Sequence, residues 1–490
     1  MTDTLDAADF VAAGGVLSVD DAVDVDRDYT PECHELEPEE FYYATGHYYL
    51  ASELRKLLEC DGLSPIVFAE DHLWRYRPKL GIWKRLTDAE EHQAVHCLDG
   101  ANVAGSDGKC RRLTVSAAMV NGIVGELKTI HGVAVPDHFD SAASGIQFSD
   151  GFLSFGGMAP ELLPSDPDHR ARYAYPWAYR DVVRPVRFLE ALSQWFHGAP
   201  DAAERVRALQ EFSGVCLIGR ATHFQKCVFS KDSGTGNSGK STFAKILSAA
   251  MPPDSVVSVA LQDFNEQNRA MLAGALLNLI SDMPEDDIKE SAHFKKGVDG
   301  GQLHAKSVYS RPFNFSPICG YYVDANGFPR CVDNSESWYR RFIIVGFPNR
   351  FGTEPGDLPM VRGLEAIIAR DELPGVVKWM LEGAARAIAQ DGITHPQSHF
   401  AELDAWRRES NVVASWVHEE TREVNGFGMT KAEAFRHFNA WRRTCEFKPL
   451  PAKDFHRDLT RLVGQPRTLD GYKRYSIERG AEMGQIETPF

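Results

Sequence analysis

The chain has 490 residues, 43% of them hydrophobic and 25% charged, and a formal net charge of −16 at pH 7. This length predicts about three domains, and the negative balance excludes a uniformly basic nucleic-acid-binding protein. The chain contains no apolar run of the ~18 residues that a membrane-spanning helix needs, and no positively charged segment precedes an apolar stretch at its acidic start, so we expect neither membrane insertion nor a secretory signal.

The two ends of the chain differ in charge. Residues 1–40 hold thirteen Asp and Glu against one Arg, whereas residues 429–480 hold twelve Lys and Arg against six Asp and Glu. This asymmetry is typical of an acidic tail combined with a basic module. We expect residues 1–45 to form a disordered, solvated tail, with an autoinhibitory mimic of DNA as the lesser alternative.

Residues 46–190 predict an N-terminal domain of mixed helix and strand. The run "HYYLASELRKLLEC" has helical periodicity, as does "LTVSAAMVNGIVGELKTIHGV". Between them, "PIVFAEDHLWRYRPKLGIWKRLT" alternates apolar and polar residues around "PKLG", which indicates a hairpin. Residues 145–180 are rich in Gly, Pro, Asp and Tyr and predict loops with short strands.

The stretch "SGTGNSGKST" at residues 233–242 has the spacing of a phosphate-binding P-loop. Its glycines let the backbone curl so that several N–H groups face phosphate oxygens. Lys240 is placed to reach the β- and γ-phosphates of ATP, and the Ser241 hydroxyl to bind Mg²⁺. An apolar run before the motif and helical spacing after it predict a strand, a loop and a helix whose positive end faces the anion; a chance glycine-rich loop is the alternative. The predicted nucleotide-binding residues are Gly234, Thr235, Gly236, Asn237, Ser238, Gly239, Lys240, Ser241 and Thr242.

A second nucleotide motif is predicted after the apolar run "LLNLI" at residues 276–280. A buried strand here delivers Asp282 to its carboxyl end, where an acid can hold Mg²⁺ or orient the attacking water. The usual form of this motif has two adjacent acids, but here the next acid after Asp282 is Glu285. Which of these two residues activates water is therefore left open. Ser241 and Asp282 are the predicted metal ligands.

Two further polar positions lie beside predicted strands. Asn326 follows "SPICGYYVDA", and an amide there can position water and sense the nucleotide, although Asn-Gly alone indicates a turn. Arg340 and Arg341 precede "FIIVGF" and can supply an arginine finger to the phosphate of an adjacent subunit. A surface ion pair is the alternative, and which arginine is the finger is left open. The predicted catalytic residues are Lys240, Asp282, Glu285, Asn326, Arg340 and Arg341.

The C-terminal sequence predicts a helix–turn–helix followed by a two-stranded wing with Asp-Gly at its turn. This pattern resembles a winged helix, which docks a basic helix on duplex DNA; a protein-docking module is the alternative. The residues predicted to be buried are Phe435, Phe438, Trp441, Phe455, Leu459 and Leu462. The residues predicted to project outward and bind DNA are Lys453, Arg457, Arg461, Lys473 and Arg474.

In their order and spacing, "GTGNSGKST", "LLNLISDMP", "VDANGFP" and "SWYRRFIIVGFPNRF" resemble the motifs of superfamily 3 helicases of the phage, plasmid and poxvirus primase-helicase type. The resemblance covers about residues 60–480 and is strong only over 225–350. It implies an α/β fold with a P-loop, AAA+-like nucleotide domain that forms a ring, usually a hexamer, around DNA. Many relatives also carry a primase-polymerase domain. The segment "DVDRD" at 24–28 imitates the acidic two-metal motif of such a domain, but it lies in the acidic tail. We therefore expect no primase activity.

The resemblance also places a DNA-contacting hairpin between the second motif and the sensor, in "GGQLHAKSVYSRPFNF". A ring of such positive tips grips phosphates without reading bases. Family members often carry an acid where Gly301 and Gln302 stand, which shifts the numbering of the tip by a residue or two. A solvated surface charge is the alternative for each basic residue. The DNA-binding residues implied here are Lys295, Lys296, His304, Lys306 and Arg311.

These features predict an ATP- and Mg²⁺-dependent helicase that translocates on single-stranded and forked DNA as a homo-oligomer, with a hexamer expected, and unwinds duplex during replication of a phage, plasmid or related mobile element. An ATP-controlled initiator that melts an origin and an inactive ATPase that binds DNA as a scaffold are the alternatives. A separate primase or polymerase is a candidate partner.

Nine scattered cysteines without a Cys-x-x-Cys pair favour reduced thiols. We therefore expect the protein in the cytoplasm of a bacterial host. The predicted units are the tail at 1–45, an N-terminal α+β domain of the primase-helicase type at 46–190, an AAA+-like helicase domain at 191–365, a helical linker at 366–400 and a winged-helix-like DNA-binding domain at 401–490.

Overall fold

The computed structural model describes residues 46–480, except for 61, 105–109, 158, 182, 233–235, 282–290, 307–311, 330–334, 446 and 448. The predicted acidic tail therefore lies outside the described residues. In the part of the chain that is described, no helix has both the length and the apolarity to span a membrane.

Helices and strands are numbered here in chain order. The helices are α1 (His47–Glu59), α2 (Asp88–His96), α3 (Ala117–Leu127), α4 (Val186–Trp195), α5 (Ala202–Leu217), α6 (Ala221–Phe224), α7 (Lys240–Ala250), α8 (Glu266–Ala270), α9 (Ala292–Val298), α10 (Glu336–Tyr339), α11 (Leu364–Asp371), α12 (Leu373–Ala389), α13 (Gln397–Ser410), α14 (Val412–Glu420), α15 (Lys431–Thr444) and α16 (Ala452–Val463). The strands are β1 (Ile66–Ala69), β2 (His72–Arg77), β3 (Ile82–Arg85), β4 (Asn102–Ala104), β5 (Cys110–Arg112), β6 (Gly145–Phe148), β7 (Gly151–Ser154), β8 (Glu161–Leu163), β9 (Cys227–Asp232), β10 (Val256–Val257), β11 (Leu277–Ser281), β12 (Leu303–Ala305), β13 (Phe313–Phe315), β14 (Gly320–Asp324), β15 (Phe342–Phe347), β16 (Phe351–Gly352), β17 (Leu358–Pro359), β18 (Thr421–Glu423), β19 (Arg467–Leu469), β20 (Tyr472–Arg474) and β21 (Ile477–Arg479).

The N-terminal part contains helices α1 to α3, the antiparallel sheet β1-β2-β3 and the strand pair β4-β5. Leu50, Leu54 and Leu58 recur at helical spacing on α1 and are buried in one apolar cluster. Thr87 and Glu90 form a capping box that satisfies backbone N–H groups at the start of α2. The hairpin predicted around "PKLG" is confirmed, since β2 and β3 are antiparallel neighbours.

A loop-rich segment joins this part to the centre of the molecule. The Arg172 guanidinium donates to Glu70 at 2.6 Å and lies 3.7 Å from the Phe139 ring centroid. The next residue, Tyr173, donates its hydroxyl to the carbonyl of Gly274 at 2.9 Å. These contacts connect the N-terminal part to the loop before β11.

A five-stranded parallel sheet, with the order β10-β11-β14-β9-β15, forms the centre. Its strands are almost continuously apolar because both faces are covered. Tyr322 packs into one apolar cluster, while its neighbours Tyr321 and Val323 pack into another, as the alternation of side chains along a strand requires. Since all five strands are parallel, their carboxyl ends meet at one edge of the sheet.

Helices α5 and α12 pack closely against each other and support one face of this sheet. Gly214 and Gly383 lie at the crossing, where a Cβ atom on either would collide with the backbone of the other helix. The buried Glu211 carboxylate accepts a hydrogen bond from Arg386 at 2.6 Å. The segment 366–400, predicted as a helical linker, is mainly helical, and its α12 is part of this core.

The C-terminal part contains α14, α15 and α16, followed by the antiparallel hairpin β19–β20. Thr430 and Glu433 form a capping box at α15. Five of the six residues predicted to be buried here pack in or against the local apolar cluster. Leu462 is exposed, so its predicted burial is wrong: α16 packs on the cluster through Phe455, Leu459 and Val463, which follow one another at four-residue spacing, and Leu462 lies to one side of that stripe. The assignment of this part as a winged helix remains a prediction.

Candidate nucleotide-binding site

The predicted P-loop lies between β9 and α7, at the carboxyl edge of the parallel sheet. Gly234 and Thr235 lie outside the described residues. Gly236, Asn237 and Gly239 have φ angles of 70°, 50° and 93°, a left-handed conformation that favours glycine and that asparagine tolerates. The loop therefore turns sharply before the helix begins at Lys240.

Two contacts hold the end of this loop in place. The indole of Trp195 occupies the space where a Cβ atom on residue 239 would lie, so only glycine fits there. The carbonyl of Asn237 accepts a hydrogen bond from the backbone N–H of Phe351 at 2.9 Å. The loop is thus fastened from α4 on one side and from β16 on the other.

Lys240 and Ser241 converge on Asp324, the last residue of β14. The Lys240 ammonium lies 2.8 Å from Oδ1 of Asp324 and 3.9 Å from a carboxylate oxygen of Asp232. The Ser241 hydroxyl donates to Oδ2 of Asp324 at 2.8 Å. Lys240, Asp324 and Asp232 are all buried, so the two carboxylates compensate a cation that is removed from water.

Polar atoms at the site fit a phosphate and a hydrated cation. The Ser238 hydroxyl is buried with no hydrogen-bond partner among the described residues, and a buried donor in this state is costly. Although Oδ1 of Asp324 is close to Lys240, the contact does not have hydrogen-bond geometry, so a lone pair of this oxygen is available. A cleft of about 400 Å³, whose lining includes Ser241, Ser281 and Asp324, opens beside them. Thr242 follows Ser241 in the first turn of α7 and is half-buried.

The predicted second motif is described only in part. The strand predicted at "LLNLI" is confirmed as β11, and its last residue, Ser281, pairs in register with Asp324 on β14. Asp282 and Glu285 lie outside the described residues. The chain thus leaves β11 beside the Lys240–Asp324 contact.

The predicted sensor and finger residues occupy different surroundings. Asn326 is exposed, two residues after the end of β14. Arg340 is exposed, and its carbonyl accepts a hydrogen bond from Lys226 at 2.7 Å. Burial, and after it the charges of Arg340 and Arg341, lowers the pKa of Lys226. Arg341 is only 5% exposed and forms an ion pair with Asp299, so Arg340 is the exposed one of the two adjacent arginines.

The stretch to which the resemblance assigns DNA contact contains the antiparallel strands β12 and β13, and its contact with DNA stays a prediction. Lys306 is exposed directly after β12, and residues 307–311, which include Arg311, lie outside the described residues. His304 is exposed in the strand itself, 3.1 Å from the side chain of Asn314. On α9, Lys296 is exposed and Lys295 is half-buried, with its ammonium 3.5 Å from the Ser337 hydroxyl.

The five basic residues predicted to bind DNA in the C-terminal part also differ. Lys453 and Lys473 are exposed. The guanidinium of Arg457 contacts Asp454 at 2.8 Å and Asp458 at 3.0 Å on its own helix. Arg461 lies 3.8 Å from Asp458, and Arg474 donates to the carbonyl of Gly428 at 3.0 Å.

Sequence reasoning missed Asp324 and Asp232, the two carboxylates that face Lys240. Each is the last residue of an apolar strand, β14 and β9 respectively. An acid at that position of a parallel sheet lies at the edge where ligands bind. The signal was therefore present in "GYYVD" and "CVFSKD", although neither pattern indicates which acid reaches the lysine.

Comparisons with known proteins give a family without an assigned function. The model of a family of unknown function, DUF5906, matches residues 233–341, well under half of the chain. No curated protein matches the chain.

The solved structures that are similar include the apo A form of the NrS-1 C-terminal region, residues 305–718 of that protein. This match has 11% sequence identity and a TM-score of 0.44, and it covers 86% of this chain and 98% of the other. A second apo structure of the same region has 10% identity and a TM-score of 0.43, with 89% and 100% covered. Similarity at this level carries no inference about activity.

Proposed function

We propose that the protein is an ATP-hydrolysing DNA helicase that forms a ring, translocates on single-stranded DNA and opens duplex during replication of a phage, plasmid or related mobile element. The observation that supports it best is the convergence of Lys240 and Ser241 on the buried Asp324 at the end of a parallel strand. The order of the motifs, which resembles that of superfamily 3 helicases, supports the coupling to DNA.

In this proposal, Lys240 and the backbone N–H groups at the start of α7 bind the phosphates of ATP. Ser241, Asp324 and Asp282 are candidates for holding Mg²⁺, which supplies charge neutralisation at the phosphates when it is bound. Asn326 orients water. Asp324 has a second role before the nucleotide enters, because it neutralises a lysine that would otherwise be a buried and unpaired cation.

Movement of DNA requires the site to be completed by a second copy of the chain. Arg340 is exposed and can reach the phosphates bound by a neighbouring subunit, where an arginine stabilises negative charge in the transition state. Lys306 is exposed next to the connection between β12 and β13 and can contact the phosphates of a strand in a central pore. Hydrolysis in successive subunits then moves these hairpins along the strand.

The enzymatic part is tested by measuring ATP hydrolysis with and without single-stranded DNA. We expect hydrolysis that DNA stimulates, its loss in Lys240→Ala and its retention in Lys56→Ala, a control that removes an exposed lysine of the N-terminal part. Hydrolysis that persists in Lys240→Ala would exclude this site as its source.

The mechanical part is tested on forked DNA with a long duplex. We expect wild-type protein to unwind it, and Lys306→Ala to keep basal hydrolysis but lose unwinding. Unwinding that survives in Lys306→Ala would contradict the assignment of the hairpin. Origin melting without unwinding of long duplex would favour the initiator, and DNA binding without any hydrolysis would favour the scaffold.

A further inference from the structure

The hairpin β19–β20 presents an unusual combination of side chains. Leu469 and Tyr472 are directly opposite each other on the two strands, and the two residues between them, Asp470 and Gly471, have φ angles of 49° and 79°. Positive φ at both positions matches a tight two-residue hairpin turn. Because directly opposite residues of an antiparallel pair share one face of the sheet, Leu469 and Tyr472 project on the same side, at the tip of the hairpin.

Both of these apolar side chains are open to solvent. Tyr472 is 64% exposed and Leu469 is 39% exposed, whereas Tyr475, three residues further on, is buried in the C-terminal cluster. A single exposed apolar residue is ordinary. Here two neighbours form one apolar tip on a projecting element, and its aromatic ring can bind a flat partner.

The hairpin carries an excess of positive charge, since Arg467, Lys473 and Arg474 stand against Asp470 alone within residues 467–474, a net charge of 3 − 1 = +2. Arg467 and Lys473 are exposed on the same hairpin, and among the described residues no carboxylate lies within ion-pair distance of either one. The helix α16 has a smaller excess, with Lys453, Arg457 and Arg461 against Asp454 and Asp458, a net charge of 3 − 2 = +1, and Arg457 is paired with both carboxylates. A phosphate backbone is therefore attracted more strongly to the hairpin than to the outward face of α16.

We propose that the hairpin β19–β20 is the main DNA contact of the C-terminal part, with the Tyr472 ring stacked on an unpaired base at a junction of single-stranded and duplex DNA. Arg467 projects on the same face of the hairpin as Tyr472 and Lys473 on the opposite face, so the two cations bind phosphates on either side of the hairpin. The ring supplies stacking that tolerates any base, and the two cations supply affinity that depends on salt. This inference rests on the proposed function for the identity of the ligand, DNA. It assigns the main DNA contact to the hairpin β19–β20 instead of the helix α16.

The test uses the full chain without nucleotide and a DNA fork carrying 2-aminopurine at the single-stranded side of the junction. We expect Tyr472→Ala to weaken binding by about 5- to 100-fold and to abolish the quenching of 2-aminopurine, while Tyr472→Phe preserves both. Tyr48→Ala is the matched control, because Tyr48 is 60% exposed in the N-terminal part. Lys473→Ala should reduce the slope of log affinity against log salt by about 0.7–0.9.

Three outcomes overturn the proposal. Tyr472→Ala with wild-type affinity and quenching excludes stacking, and a loss in Arg457→Ala larger than that in Tyr472→Ala returns the contact to α16. Altered self-association of Tyr472→Ala in sedimentation, with unchanged DNA binding, identifies the tip as a protein interface. Since no nucleotide is present, these results are separate from the loss of hydrolysis in Lys240→Ala, which tests the ATPase site alone.

Discussion

Arg341 and Asp299 form a two-point ion pair: Nε of Arg341 donates to Oδ1 of Asp299 at 2.9 Å, and Nη2 contacts Oδ2. The same guanidinium also donates to the carbonyl of Ser337. Asp299 follows the last residue of α9, and Arg341 immediately precedes β15. One of the two adjacent arginines therefore joins elements within the subunit, and the other, Arg340, is exposed at the surface.

Arg341→Ala is expected to lower the free energy of unfolding by about 1–3 kcal/mol. Removal of one member of a buried pair leaves the other uncompensated, but Asp299 keeps 28% of its side chain exposed, which reduces the cost. Urea denaturation followed by circular dichroism measures the change, with Arg340→Ala as the neighbouring control. Equal stability of the two variants would contradict a structural role for Arg341.

Arg340→Ala is expected to leave stability unchanged and to lower DNA-stimulated hydrolysis by ~10³-fold, the scale of an arginine finger. If the finger acts between subunits, mixing Arg340→Ala with Lys240→Ala protein should partly restore hydrolysis. Each mixed interface can then combine an intact Lys240 with an intact Arg340. The assay titrates the ratio of the two variants, and absence of restoration at every ratio argues against a shared site.

Asp324→Asn is expected to separate nucleotide binding from hydrolysis. Without the carboxylate, the Lys240 ammonium no longer has to leave Asp324 for a phosphate, so nucleotide binding in the presence of EDTA should tighten about tenfold. Hydrolysis should fall, because the site has lost one anionic oxygen that can hold Mg²⁺. Titration with a fluorescent nucleotide, with and without Mg²⁺, measures the first effect. The matched control is Asp254→Asn, an exposed aspartate, and weaker binding of Asp324→Asn in EDTA would contradict the account.

Local patterns predicted the strand–loop–helix around the P-loop and the strand β11, because spacing and apolar periodicity act over a few residues. The pairing of β14 with β9 is a long-range property, and it alone brings Asp324 to Lys240. The burial of Arg341 likewise depends on Asp299, 42 positions away. The exposure of Leu462 shows the same limit, since helical periodicity allows either Leu462 or Val463 to follow Leu459 on the buried face, and only the packing selects Val463.

The buried His399 makes stability depend on pH. It is 3% exposed, and its Nδ1 accepts a hydrogen bond from the backbone N–H of Ile344 at 3.1 Å, so the ring must be neutral at this atom. Burial, and then the charges of His395, Lys226 and Arg407, lowers the pKa of His399 to about 4.

Because the folded pKa lies below the ordinary value of 6.5, the unfolded chain takes up this proton first as the pH falls. The stabilisation is thus complete above pH 6.5 and is lost between pH 6.5 and 4, by up to about 3 kcal/mol. The half-buried His72 and His138, whose pKa values are also lowered to about 4, mainly by burial, act in the same direction. The informative quantity is therefore the difference between wild type and His399→Gln in urea denaturation at pH 7.5, 5.5 and 4.5. We expect a flatter pH dependence for His399→Gln and an unchanged one for His96→Gln, which alters an exposed histidine at the end of α2; parallel curves for wild type and His399→Gln would contradict this assignment.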